Sequence, residues 1–195
     1  MEEHLHLLET VFKRLEQYGV TINKKKSIFF QRQIEFCGHV IDAQGLHKTT
    51  EKIQAIVESP KPMNVSQLRS FLGMVSYYQK FLPNLSTKLA PLHALLQKEV
   101  KWSWTKACEE AWKLVKDVVT ADTVLAHFDP SLPMTLACDA SSYGLGAVLS
   151  HITATGEERP VAFVSRTLTV TEQKYSQIDK EALALVWGIK KFNKY

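Results

Sequence analysis

Apolar positions recur at helical spacing in the opening segment EEHLHLLETVFKRLEQYG, where Leu5, Leu8, Phe12 and Leu15 share a stripe and Gly19 follows the last turn. That pattern predicts a helix closed by a glycine C-cap. The next runs, VTIN, KSIFF and IEFCGHVID, are short, β-branched and aromatic, and are split by the polar NKK and QRQ. They read as small antiparallel strands. From about Lys48 to Thr120 the period is again helical, interrupted early by the two prolines of ESPKPMN. Asn64, with Gln67 three residues on, predicts a capping box opening VSQLRSFLGMVSYYQKF. APLHALLQ reads as a short amphipathic helix, and Thr105 as the N-cap of a longer one in WSWTKACEEAWKLVKDVV.

The pattern changes once more near residue 126. PMTLACDA and GAVLSHI read as adjacent strands joined through SSYGLG, whose glycines allow a bend, a bulge or close backbone approach. After ATGEER comes a third strand, PVAFVSR. Thr169 and Glu172 predict a capping box for a helix running through QIDKEALALVWGIKKF. Three strands followed by a helix open an α/β layer. On that helix Ile178, Leu185, Ile189 and Phe192 form the stripe expected to face the sheet, with Glu181 at its edge and Asp179 nearer the other edge. Leu183 and Trp187 are apolar on the opposite side, so spacing does not rank the two acids. Asp139, at the end of LACDA, has two readings that the residues alone leave open. It opens a turn between strands, or a strand end holds a carboxylate for chemistry.

Composition narrows the classes. With 195 residues, 45% of them hydrophobic and 23% charged, the chain can bury a real core in one or two domains. No apolar run approaches membrane-spanning length, and the acidic start MEEHLHLLET lacks the pattern of a secretory signal. The expectation is an intracellular protein without a membrane partner. Cys37, Cys108 and Cys138 are odd in number and nowhere spaced C-x-x-C, which points to reduced thiols. A formal charge of +4 permits a polyanionic partner without requiring one. Lys24, Lys25 and Lys26 read as a solvated loop sooner than a phosphate contact, and Trp102, Trp104 and Trp112 as core sooner than base-stacking platforms.

Several ordered blocks then carry a resemblance. FCGHVIDAQGL, TEKIQAIVESPKPMNVSQLRSFLGMVSYYQKFLPNLSTKLAPLHALL, WSWTKACEEAWKLVKD, LACDASSYGLGAVLSH and YSQIDKEALALVWGIKKF are similar, in this order, to the pol polyprotein of gypsy-type LTR retrotransposons, relatives of the retroviral reverse transcriptases. The resemblance implies an α+β chain: a small β palm remnant over residues 1–47, a helical thumb/connection region over 48–125, and an incomplete RNase H-like α/β domain over 126–195. FCGH resembles the primer-grip segment, which implies that Phe36, Cys37 and Gly38 face nucleic acid. Asp139 matches the first metal-binding aspartate of RNase H and Glu181 the glutamate on its first helix, so both are implied as catalytic Mg²⁺ ligands.

A polymerase Tyr-x-Asp-Asp motif is absent from the sequence, and two further RNase H aspartates of the family have no counterpart in it. The implied function is therefore a fragment of a reverse transcriptase/RNase H that is inactive alone, its partners being an RNA–DNA hybrid or primer-template and the rest of the polyprotein. The alternative is a non-catalytic, transposon-derived nucleic-acid-binding remnant. Lys48, Thr49 and Gln79 depart from the family pattern, which puts thumb contacts in question.

Overall fold

Helix α1 (Glu2–Gln17) ends as its sequence requires. Gly19 takes φ +67°, Val20 N–H bonds Leu15 C=O at 2.9 Å and Gly19 N–H bonds Glu16 C=O at 3.0 Å, the paired bonds of a Schellman cap. In this computed structural model, which describes residues 2–195, the segment through Arg32 is one compact unit and Gln33–Tyr195 another. Within the first unit Phe12 meets Phe29 edge-on at 5.9 Å, and His4 meets Phe30 at 5.2 Å. The runs VTIN and KSIFF are not strands. Asn23 instead accepts the Lys25 N–H at 3.0 Å and starts a 3₁₀ turn at Lys24–Lys26, all three lysines exposed. β-Branched residues favour a strand only where a neighbouring strand supplies a ladder, and here a local side-chain bond took the backbone first.

The second unit opens with a three-stranded antiparallel sheet in the order β1 (Gln33–Phe36), β2 (His39–Asp42), β3 (Leu46–Lys48). Leu46 exchanges both backbone bonds with Leu125, at 2.8 and 3.0 Å. Helices α2 (Thr50–Glu58), α3 (Val65–Tyr77), α4 (Leu85–Lys88), α5 (Ala90–Ala94) and α6 (Lys106–Thr120) follow. They share one core. Leu68, Phe71, Leu72 and Val75 form the buried stripe of α3, and Cys108, Ala111, Val115 and Val119 that of α6. Asn64 caps α3 by accepting the Gln67 N–H at 2.9 Å, and Thr105 caps α6 by accepting the Cys108 N–H at 3.3 Å. Trp102, Trp104 and Trp112 pack against this core, as expected.

Strands β4 (Met134–Ala140), β5 (Gly144–Ile152) and β6 (Glu158–Thr167) form a second antiparallel sheet in sequence order, with a bulge opposite Leu149 and Ser150. Helix α7 (Gln177–Lys191) packs on one face of it. The stripe in contact is not the one that hydrophobicity picks out. Lys180, Ala184 and Gly188 are buried, whereas Ile178, Leu185 and Ile189 are 76%, 51% and 61% exposed, and of the expected set only Phe192 is buried. Small residues win because the helix sits close: a Cβ on Gly188 would lie 2.6 Å from Cys138 Sγ. The Thr169–Glu172 box forms, with bonds of 2.8 and 3.3 Å, but it caps a 3₁₀ turn at Glu172–Lys174. α7 has its own cap, Ser176, which accepts the Asp179 N–H at 3.2 Å.

Glu172 also takes two parallel bonds from Arg166, each 2.8 Å, and these, with lesser help from Thr169, hold its carboxyl down at about 2. A depressed folded-state value stabilises the fold above the ordinary glutamate range and loses that contribution as the pH falls toward the folded value. Urea denaturation between roughly pH 5 and pH 2 is therefore expected to show a shallower loss of stability in Glu172→Gln than in the wild type. Identical pH slopes would contradict this assignment.

Candidate functional site

The first feature is the tip of the β1–β2 hairpin. Phe36 pairs with His39, so Cys37 and Gly38 are the whole turn, and both have positive φ, 47° and 65°. This is the primed geometry that two-residue hairpins favour. Gly38 fits without strain, whereas Cys37 does not. The turn is held from below by bonds to its carbonyls. Cys37 C=O accepts from the Tyr77 hydroxyl and from His39 Nδ1 at 2.8 Å. Gly38 C=O lies 3.2 Å from both the Thr49 and the Tyr78 hydroxyl, and since these two also bond each other, one donates to the carbonyl while the other donates to its neighbour. A Cβ on Gly38 would overlap the Lys52 ammonium and come within 2.8 Å of the Tyr77 hydroxyl. Phe36 and Cys37 are exposed and Gly38 is half-buried. All three expected residues thus sit together on a presented, anchored turn.

The second feature is the end of β4. Strand alternation puts Cys138 and Ala140 against α7, so Asp139 leaves the sheet on the other face. Burial raises the Cys138 thiol, which makes it a packing group. On its own face exposed Asp139 accepts a bond of 3.2 Å from the side-chain amide of Asn84. Asn84 has φ +51°, a left-handed conformation that asparagine tolerates, and its amide lies over Gly146, the residue paired with Asp139. The Asn84 amide occupies the space that a Cβ at Gly146 would need.

Glu181, also exposed, is reached from the opposite side. Gln177 uses one amide nitrogen to bond Ala140 C=O at 2.9 Å and Glu181 Oε1 at 3.2 Å, which ties Glu181 to the same strand end as Asp139. No hydrogen bond joins the two carboxylates. Asp179 is turned back to the helix cap, accepting from the Ser176 hydroxyl at 2.6 Å. Carboxylate oxygens are the hard donors Mg²⁺ takes. Yet among the described residues no three His, Cys, Asp or Glu side chains are grouped to hold an ion. Gly146 is one of the SSYGLG glycines expected to allow close approach, whereas Asn84 and Gln177 were not expected as part of this region. Gln177 stood four residues before Glu181, the spacing of neighbours on a helix, but Asn84 is 55 residues from Asp139 and gave no local signal.

A family model described as an RNase H-like domain found in reverse transcriptase matches residues 104–195. The Tf2-3 and Tf2-4 transposon polyproteins of Schizosaccharomyces pombe are each 35% identical over 193 residues, which is 99% of this chain. Over almost its whole length the chain is thus similar to the reverse transcriptase/RNase H-like region of transposon polyproteins. It spans 14% of the length of those curated relatives. Among solved structures, the foamy viral protease-reverse transcriptase dRH in complex with double-stranded DNA aligns at a TM-score of 0.81 and 25% identity, covering 99% of this chain and 34% of that one. The same enzyme in complex with an RNA/DNA hybrid aligns at 0.79 and 25% identity, covering 98% and 26%.

Two stability measurements check this reverse transcriptase/RNase H-like geometry. Cys37→Asn, which gives the Asn-Gly turn, is expected to raise stability by about 0.5–1 kcal/mol in urea denaturation; a loss would contradict the strain assigned to Cys37. Gly146→Ala is expected to cost about 1–3 kcal/mol by displacing the Asn84 amide, and most of that cost should vanish in an Asn84→Gly background, where the left-handed backbone is kept. Additive penalties would place the Gly146 conflict elsewhere.

Proposed function

We propose that this segment holds a nucleic-acid duplex in the complete polyprotein, gripping it at the Cys37–Gly38 turn and presenting it to the carboxylates at the end of β4. The supporting observation is that consecutive residues serve both places. Tyr77 and Tyr78 anchor the hairpin tip, while Gln79 bonds Ser165 C=O at 2.7 Å, Asn84 bonds Asp139, and Ser86 bonds Ser165 Oγ at 3.0 Å. A ten-residue strut thus fixes the turn and the second sheet to each other within one unit. Rigid spacing between a grip and a cleavage point is what positioning chemistry on a long substrate requires.

On this reading Asp139 and Glu181 are two of the Mg²⁺ donors for hydrolysis of the RNA strand, and the remaining donors come from elsewhere in the polyprotein. Two-metal hydrolysis relies on several converging carboxylates to hold the ions that neutralise the attacking and leaving oxygens. This chain's contribution is to place its two at one strand end and to hold each with an amide, Asn84 on one face and Gln177 at the edge. The net charge of +4 suits a polyanionic substrate. The structural neighbours bound to double-stranded DNA and to RNA/DNA hybrid support the choice of substrate.

The test is fluorescence anisotropy of the 195-residue chain with a labelled RNA–DNA hybrid across a salt series. Sequence-independent binding that weakens steeply with salt is expected, as counterions are released. Primer extension and hybrid cleavage by the same protein are expected to be undetectable. No binding at low salt, or a flat salt response, would refute the duplex-holding role.

A further inference from the structure

Between the first sheet and the second lies an open groove of about 550 Å³ to which His39, Tyr77, Lys80, Arg166, Trp187 and Lys191 contribute. No carboxylate is among the residues lining it. Arg166 is already bound through both guanidinium nitrogens to Glu172. Lys80 and Lys191 differ, having neither an ion pair nor a side-chain hydrogen bond among the described residues. Burial depresses the Lys80 ammonium, which lies over the Phe81 ring at 5.6 Å. Two cations facing one groove without a counter-charge leave a local positive potential that an anion would relieve.

His39 supplies an independent observation. It is 8% exposed, stacked on Tyr77 at 5.2 Å and on Phe81 at 5.6 Å. Nδ1 faces Cys37 C=O at 2.8 Å, so Nδ1 carries the hydrogen. Nε2, at the other end of the ring, is buried with no partner at all. Buried polar atoms are nearly always bonded, so an orphan of this kind marks a group that something else satisfies. An anion does so when the ring takes up a proton and Nε2–H donates to it. Burial first, then the charges of Lys80 and Lys52, holds the ring's pKa below that of an ordinary imidazole, against the bond to Cys37 C=O, which raises it. The titratable or charged groups around His39 are Lys48, its pairing partner on β3, Lys52 on α2, Tyr77 and Tyr78 at the end of α3, Lys80 in the turn that follows and Cys37 in the hairpin, and none of them is a carboxylate.

We propose that this groove is a phosphate site, in which His39 Nε2, Lys80 and Lys191 take one backbone phosphate of a nucleic-acid strand. The assignment rests on the duplex-holding role and names a phosphate contact for it beneath the hairpin tip, apart from the carboxylates. Trp187 and Tyr77 flank the phosphate as apolar walls that limit competing water. Binding couples to proton uptake by His39, so affinity rises as the pH falls through the mildly acidic range.

Two measurements on the full chain test it. In an NMR titration with inorganic phosphate, the His39 imidazole signals are expected to shift and its titration to move upward; unperturbed signals would overturn the site. In anisotropy with labelled RNA–DNA hybrid, Lys80→Ala/Lys191→Ala is expected to weaken binding about tenfold and to reduce the salt slope by about 1–2. Lys106→Ala, removing an ammonium 91% exposed on α6, is the control and is expected to change affinity less than about twofold. A double variant that binds like the wild type, or a control that loses as much, would overturn the assignment while leaving duplex binding intact. A wild-type chain that binds no hybrid would instead refute the duplex-holding role. Were the His39 signals to respond to inorganic phosphate but not to hybrid, the groove would be a free-phosphate site and the backbone assignment would fall.

Discussion

The Tyr78 hydroxyl is the contact on which most of the larger unit turns. The side chain is buried at the junction of the first sheet with the helices, bonded to Thr49 Oγ1 at 2.9 Å and to Gly38 C=O at 3.2 Å. Its ring meets His39, Tyr77 and Phe81 at 5.8, 5.0 and 6.0 Å. A buried hydroxyl must be satisfied, and this one is satisfied only when the hairpin and the helical core are in register. Removing it would leave Thr49 as the one hydroxyl within reach of Gly38 C=O, beneath a turn whose Cys37 is already in an unfavourable conformation. The strut from Tyr77 to Ser86 inherits its position from this anchor.

Much of the helical layer was legible from residues alone because helix ends are local. Gly19, Asn64 and Thr105 each satisfy backbone groups within five positions of themselves, and each sits where the pattern put it. The strands of the second sheet were legible for a different reason: their apolar runs are bounded by turn residues. What could not be read was anything that depends on a partner. VTIN and KSIFF have strand composition but no ladder. The contact face of α7 is marked by small residues, and a hydrophobic stripe points away from it. Thr49, Lys48 and Gln79 looked like losses against the family pattern. In the fold Thr49 bonds Gly38, Lys48 bonds the carbonyls of Val119 and Ala121, and Gln79 bonds Ser165, all of them backbone acceptors distant in sequence.

The candidate site shows the same division. The hairpin residues Phe36, Cys37 and Gly38 are contiguous, and a sequence motif can carry them. Asp139 and Glu181 were each visible in a motif, but the amides that hold them were not, since Asn84 comes from another element and Gln177 acts through Ala140 C=O. Each amide fixes a carboxylate that would otherwise swing between many geometries.

Close packing of α7 also decides where Asp139 can act. Gly188 must meet Cys138 and Ala147, and Ala184 packs with Ala140 and Leu145, so Cys138 and Ala140, the last two positions on β4 that face the helix, are kept small. A carboxylate at either would be buried without a partner. Asp139, one position out of phase, is therefore placed on the sheet face that Asn84 and Gly146 line, and Glu181 stays beside the strand edge where Gln177 bonds Ala140 C=O. The two acids can share a ligand only around the end of β4, where alternation stops and the turn Ser141 to Tyr143 leads into β5. Ser141 Oγ bonds the N–H groups of Tyr143 and Gly144 at 3.2 and 3.0 Å and keeps that loop folded back on itself. The small residues after Asp139 are thus explained by space at the strand end, and the fold's need for a tight helix–sheet contact is what put the carboxylate there.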